Sequence, residues 1–270
     1  MTEEIKASAA RLYESCVFDQ LLGETLRPGG LELTARLAQI ADINEDYTVL
    51  DMACGKGTTA FFLAREYNCR VIGIDLSTEM LASCRAKAEG EKLADRVSFL
   101  MGDGECLPFN DSSFDVVITE CYFSLLSDKK TTARGIHRVL KPGGMLVMAD
   151  MTLRGEVSEE LRSQVTFPCC LAGAWRVEEY TSLLEQIGFQ SPYMEDHSKE
   201  LLKVAYQLGI TFGSIDKFLG QSPVRPCRRK GTGDSSTSIG PPTSIESYQE
   251  FVKLGKPGYA LIVATKVVKA

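Results

Sequence analysis

Apolar and polar positions along this chain alternate in blocks whose period switches between helix and strand. After a break at "LRPGG" (26–30), "LELTARLAQIAD" (31–42) carries its apolar residues at helical spacing. "YTVLDMA" (47–53) is a continuous apolar run of strand length, and "TTAFFLAREYN" (58–68) returns to the helical period. The exchange repeats with strand "RVIGID" (70–75), helix "TEMLASCRAKAEG" (78–90) with Ser77 as its N-cap, and strand "RVSFLMGD" (96–103). Strand "FDVVITE" (114–120), helix "KKTTARGIHRVL" (129–140) stopped by "KPGG", and strand "MLVMADM" (145–151) follow. Strands separated by helices predict a doubly wound α/β fold, a parallel sheet with helices on both faces.

The flanks are less regular. Residues 3–14 read as a short helix. Beyond residue 150, "SEELRSQVTF" (158–167), "RVEEYTSLLEQIGF" (176–189), "KELLKVAYQLGI" (199–210) and "IESYQEFVKLG" (245–255) read as helices. "SPYMED" (191–196) and "GYALIVATKVV" (258–268) read as strands. Residues 221–244 are rich in Gly, Pro, Ser and Thr and are expected to form a mobile loop. The expected division is a helical cap over 1–46, a core over 47–196, an insertion or lid over 197–257, and a closing core strand over 258–270.

Composition narrows the function. With 270 residues, 44% of them hydrophobic, the chain can bury one large core. A net charge of -6 gives no general attraction to nucleic acid or to an anionic membrane. No apolar run reaches membrane-spanning length, and the polar start "MTEEIKASAA" is unlike a secretory leader. Nine scattered cysteines, with no C-x-x-C pair and only two histidines, predict neither a disulfide framework nor a metal site. A reducing cytoplasm is the expected compartment.

Candidate chemistry gathers at the strand ends, where open α/β sheets bind ligands. "DMACGKGTT" (51–59) places Asp51 before Gly55 and Gly57, which let a ligand approach the backbone, at a helix start that suits an anion. Gly55, Gly57 and Ala60 also fit G-x-G-x-x-A, a dinucleotide fingerprint. Asp51 opposes a pyrophosphate there and favours a ligand with an ammonium or sulfonium. Asp75, twenty residues beyond Gly55, is placed to accept from both ribose hydroxyls. Asp103 is placed to accept from an adenine amino group, and Leu76 and Met80 to pack on the base.

The set "VLDMACGKGT", "VIGIDLS", "GDGECLPF", "SFDVVITE" and "RVLKPGGMLVMAD", over roughly residues 47–151, resembles the class I S-adenosylmethionine-dependent methyltransferases. The resemblance implies a Rossmann-like, seven-stranded sheet whose last strand is antiparallel. It also implies S-adenosylmethionine as methyl donor and S-adenosylhomocysteine as product. Asp51, Ala53, Cys54, Gly55 and Gly57 would surround the methionine part of the cofactor. Asp75 would hold the ribose, and Gly102, Asp103 and Gly104 the adenine end. Ala53 stands where the family usually has the first loop glycine. "RPGGLELT" is similar to a segment of phosphoethanolamine methyltransferases that lies over the cofactor, which would give Gly29 and Gly30 a role; Arg27 and Pro28 depart from that pattern.

The resemblance places Glu120, Cys121 and Tyr122 on the acceptor side, with Glu120 alternatively on the cofactor's amino group. "CCLAGAWRVEEYTSLLEQIGF" locally resembles arsenite methyltransferases, in which Cys169 or Cys170, with Cys121, would bind a metalloid. The leading expectation is methyl transfer to a small-molecule acceptor. A thiol-based arsenite methyltransferase, a nicotinamide-dependent oxidoreductase and a non-catalytic S-adenosylmethionine-binding protein are the alternatives.

Overall fold

The computed structural model describes residues 25, 27–165, 169–213 and 244–267. The expected helix at 3–14 and all of the expected loop 221–244 except Ser244 lie outside these residues. The strands are β1 Thr48–Met52, β2 Arg70–Asp75, β3 Val97–Met101, β4 Phe114–Glu120, β5 Leu140–Leu153, β6 Trp175–Arg176, β7 Phe189–Asp196 and β8 Pro257–Lys266. The first helices are α1 Gly30–Ile40, α2 Thr58–Tyr67, α3 Thr78–Gly90 and α4 Lys129–Val139. There follow α5 Glu159–Gln164, α6 Cys169–Ala172, α7 Val177–Ile187, α8 Lys199–Phe212 and α9 Ile245–Gly255. No helix among the described residues is long and apolar enough to cross a membrane.

The sheet runs in the order β3-β2-β1-β4-β5-β8-β7. β1 to β5 pair in parallel, whereas β8 is antiparallel to both β5 and β7. This is the expected Rossmann-like sheet, with one addition: the two-residue β6 pairs with the end of β5 at Thr152 and Leu153. A further difference concerns "KPGG". It ends α4 but lies within β5, because Leu140 already pairs with Phe114; an irregularity then carries the register from Leu140 to Met145.

Strand side chains alternate between two cores. Val49, Val116, Ile118, Val147 and Leu261 join one core with Leu37 of α1, Phe61 of α2 and Leu81 of α3. Leu50, Val117, Leu146, Met148 and Ile262 join the other with Ile136 of α4 and Leu183 of α7. Burial on both faces explains why these strands read as unbroken apolar runs. Local signals set the helix starts: Ser77 Oγ accepts the Met80 N–H at 3.1 Å, and Asp128 Oδ1 accepts the Thr131 N–H at 2.9 Å. The parallel strands therefore end on one side, and the loops that follow β1 to β4 line one cleft.

Candidate functional site

The cleft encloses about 1120 Å³, counted to its open mouth. β1 and its loop contribute Asp51, Ala53, Cys54 and Gly55, and the end of β2 contributes Asp75, Leu76 and, from α3, Met80. Gly102, Asp103 and Gly104 come from beyond β3; Glu120, Cys121 and Tyr122 come from the end of β4. Gly29, Gly30 and Gly57 do not line it. Gly57 instead caps α2 in the left-handed region at φ 69°, where an added Cβ would also press on Cys84 and Phe99 at 3.0 Å. Gly29 and Gly30 open α1, with Gly29 packed on Leu33 and near Glu200.

The acids differ in environment. Asp51 is buried, and its Oδ2 has no hydrogen-bond partner among the described residues. Burial, then Glu120, push its carboxyl well above the usual carboxylate range, and Arg27 opposes them. A cation placed at this oxygen would relieve the strain of an ionised Asp51. Asp75 is oriented at both oxygens: Oδ2 accepts the Gly55 N–H at 2.8 Å and Oδ1 the Ser77 N–H at 2.9 Å. Burial raises its carboxyl and those two donors lower it. Asp103 Oδ1 accepts the Glu105 N–H at 2.9 Å. Cys54, though at the cleft, packs its Sγ under the loop, 2.8 Å from where a Cβ on Gly73 would sit.

Sequence reasoning missed Arg27. Its Nε lies 2.8 Å from Glu120 Oε1, with the two side chains only 8% and 4% exposed. Nη2 donates to Thr34 Oγ1 at 2.6 Å and to Thr59 Oγ1 at 2.8 Å. The same two hydroxyls donate to Glu120, Thr34 to Oε1 at 2.9 Å and Thr59 to Oε2 at 2.6 Å. One closed polar network thus joins the segment before α1, α1 itself, the start of α2 and the end of β4. Both Glu120 oxygens are engaged within this network. The available signal was the departure itself: an arginine in a turn otherwise built of Pro and Gly.

Tyr122 lines the cleft, with its hydroxyl against Gly104. A Cβ on Gly104 would overlap the Tyr122 hydroxyl, so the ring occupies the space that a side chain at 104 would need. Burial, then Asp103 and Glu105, raise the tyrosine pKa, and the Gly104 N–H lowers it. Gly104→Ala is expected to displace the Tyr122 ring and destabilise the protein by about 1–3 kcal/mol, as over-packing of a tight site does. The urea midpoint of the variant checks this, and an unchanged midpoint would rule out the wedge.

Ala53 and Cys121, which follow β1 and β4, both have φ 56° in the left-handed region. For a residue with a Cβ this conformation costs on the order of 1 kcal/mol. Ala53→Gly is therefore expected to stabilise the protein by about 0.5–1 kcal/mol, less glycine's extra entropy loss. The check is the urea midpoint; a lower midpoint would mean that the alanine methyl gains more from its contacts than it loses in backbone strain.

Beyond Cys121 the cleft wall is formed by Leu125 and Leu126. Of the thiols singled out for a metalloid, Cys121 lines the cleft and Cys170 is buried in a core; the side chain of Cys169 lies outside the described residues. Among the described residues no group of three or more His, Cys, Asp or Glu is placed to hold a metal ion.

Comparison with known proteins identifies the family. The model of a methyltransferase domain family matches residues 43–188. The methyltransferase GfsG of Streptomyces halstedii is 32% identical over 214 residues, 78% of this chain and 77% of that protein. A phosphoethanolamine N-methyltransferase of Triticum aestivum is 32% identical over 202 residues, 74% of this chain but only 38% of that longer protein. Haemonchus contortus phosphoethanolamine N-methyltransferase 2, solved in complex with S-adenosyl-L-methionine, superposes with a TM-score of 0.68 at 21% identity, over 93% of this chain and 56% of that one.

Proposed function

The chain belongs to the class I S-adenosylmethionine-dependent methyltransferases, and from that premise we propose that its cleft delivers the donor's methyl group to a small molecule entering beside Cys121, Leu125 and Leu126. The observation that carries this reading is the convergence of Asp51, Asp75 and Asp103, from three neighbouring strand ends, on one cleft.

Each acid then has a distinct part. Asp75, held by two backbone N–H groups, keeps lone pairs for the ribose hydroxyls. Asp51 Oδ2 faces the cationic end of the donor, and Asp103 takes the adenine amino group, with Leu76 and Met80 against the base. During transfer the acceptor's lone pair forms a bond to the methyl carbon while the carbon–sulfur bond breaks toward sulfur. The donor arrives activated, so the protein contributes alignment and exclusion of water. With Glu120 engaged by Arg27, Thr34 and Thr59, its role is to fix the end of β4 rather than to abstract a proton.

Calorimetric titration with S-adenosylmethionine and, separately, NAD tests the cofactor assignment. Binding of NAD without binding of S-adenosylmethionine would overturn it. Transfer of tritiated methyl groups to a panel of small metabolites, including phosphoethanolamine and arsenite, then identifies the acceptor. Label recovered only in protein or nucleic acid would overturn the small-molecule reading.

A further inference from the structure

Lys129 is the first residue of α4, yet it is only 5% exposed. A lysine at a helix N-terminus opposes the helix dipole, and lysine is almost never fully buried without a partner. Its surroundings account for it. Nζ donates to the Leu126 carbonyl at 2.7 Å and to the Ser124 carbonyl at 3.3 Å, and lies 5.0 Å from the centre of the Trp175 ring. Asp150 of β5, fully buried, accepts the Ser124 N–H at Oδ2 and the Met151 N–H at Oδ1. Ser124 is therefore gripped at its N–H by the anion and at its carbonyl by the cation. The gripped segment is the single 3-10 turn Phe123–Leu125 between β4 and α4. Its Leu125, and Leu126 just beyond it, face the cleft.

We propose that Lys129 is a positioning residue for the methyl acceptor: with Asp150 it clamps the turn that carries Leu125 and Leu126, and so sets the wall against which the acceptor lies. The proposal rests on the function assigned above for that end of the cleft. Neither Lys129 nor Asp150 lines the cleft, so the effect passes through the turn. Trp175 closes the far side of the clamp. β6 holds it against β5 through Thr152, and its N–H donates to the Tyr180 hydroxyl at 3.2 Å. The charged groups that face the ammonium are Asp150 from β5, Arg162 from α5 and Glu105 from the loop after β3.

Trp175 is the only tryptophan in the chain and serves as a built-in reporter of the cation over its face. Burial lowers the Lys129 pKa to about 8, so the ammonium is present below that pH and lost above it. Tryptophan emission of the wild-type protein should change with a midpoint near pH 8, and Lys129→Met and Lys129→Arg should abolish that transition. Hydrogen exchange reads the clamp itself, without an acceptor. Lys129→Met should accelerate exchange in residues 121–128 roughly tenfold, leave residues 51–60 unchanged, and be largely rescued in Lys129→Arg. With the acceptor found by the methyl-transfer panel, Lys129→Met should raise its KM roughly tenfold, while S-adenosylmethionine affinity stays within about twofold. Unchanged exchange in 121–128, or a loss of donor affinity equal to the rise in acceptor KM, would overturn the clamp. Failure of the wild-type protein to bind S-adenosylmethionine would overturn the assigned function instead, and the exchange result would still decide whether Lys129 holds the turn.

Discussion

Arg27→Met is expected to destabilise the protein by about 3–5 kcal/mol, the usual cost of leaving one member of a buried ion pair alone. The partner left behind is Glu120, with its side chain only 4% exposed. Thr34 and Thr59 would still donate to Glu120, but two neutral hydroxyls do not replace a guanidinium. Chemical denaturation of both single variants and of Arg27→Met/Glu120→Gln tests the pairing. The double variant should recover much of the loss, because removing both charges leaves nothing unpaired to bury. Additive losses would show that the two residues stabilise the fold independently. The donor site should suffer alongside, since Arg27 and Glu120 both line the cleft.

Asp75→Ala should weaken S-adenosylhomocysteine binding by about 1–3 kcal/mol, roughly 5- to 150-fold, through loss of hydrogen bonds to an anionic acceptor. S-adenosylhomocysteine is the better probe because it is not turned over. The substitution also leaves the Gly55 and Ser77 N–H groups without their present acceptor, so the glycine loop loses an anchor. Asp75→Asn separates the two effects: an amide oxygen can still orient the loop, while one ribose contact becomes unfavourable. If Asp75→Ala binds within twofold of the wild type, the ribose role is wrong.

Much of this fold was legible because its signals are local. β2 and α3 match the expected bounds, since a continuous apolar run and a serine cap need no distant partner to be read. β6 was not legible: two residues have no period, and Trp175 is extended only because Thr152 of β5 lies beside it. The same holds for Leu140, whose pairing with Phe114 makes it strand although the Pro-Gly-Gly that follows reads as a stop.

The site divides along the same line. Asp51, Asp75 and Asp103 were readable because each sits at the end of a strand that is itself readable. The pairing of Arg27 with Glu120 was not, since each residue gains its meaning from the other, far along the chain. Tyr122 was assigned to the acceptor side by its position after β4; the left-handed backbone at Cys121 and the closeness of the Tyr122 hydroxyl to Gly104 were not legible from the sequence. Gly57 was read as a cofactor contact from its place in the loop after β1, and Gly29 from the likeness of "RPGGLELT" to a segment of phosphoethanolamine methyltransferases. Their neighbours show another reason for glycine, which is the lack of room for a side chain.

The place of β8 has a consequence for how the protein is made. It lies between β5 and β7, and both depend on it for pairing. About a hundred residues separate the end of β5 from the start of β8. At 5–20 residues per second, a ribosome takes roughly 5–20 s to cross that interval. Throughout it the nascent sheet presents the apolar flank of β5, from Met145 to Leu153, as an open edge, and β7 emerges with no neighbour to join. The newborn chain is thus most prone to associate with other chains after its donor-binding loops have been synthesised and before residues 257–266 arrive to zip the two halves together.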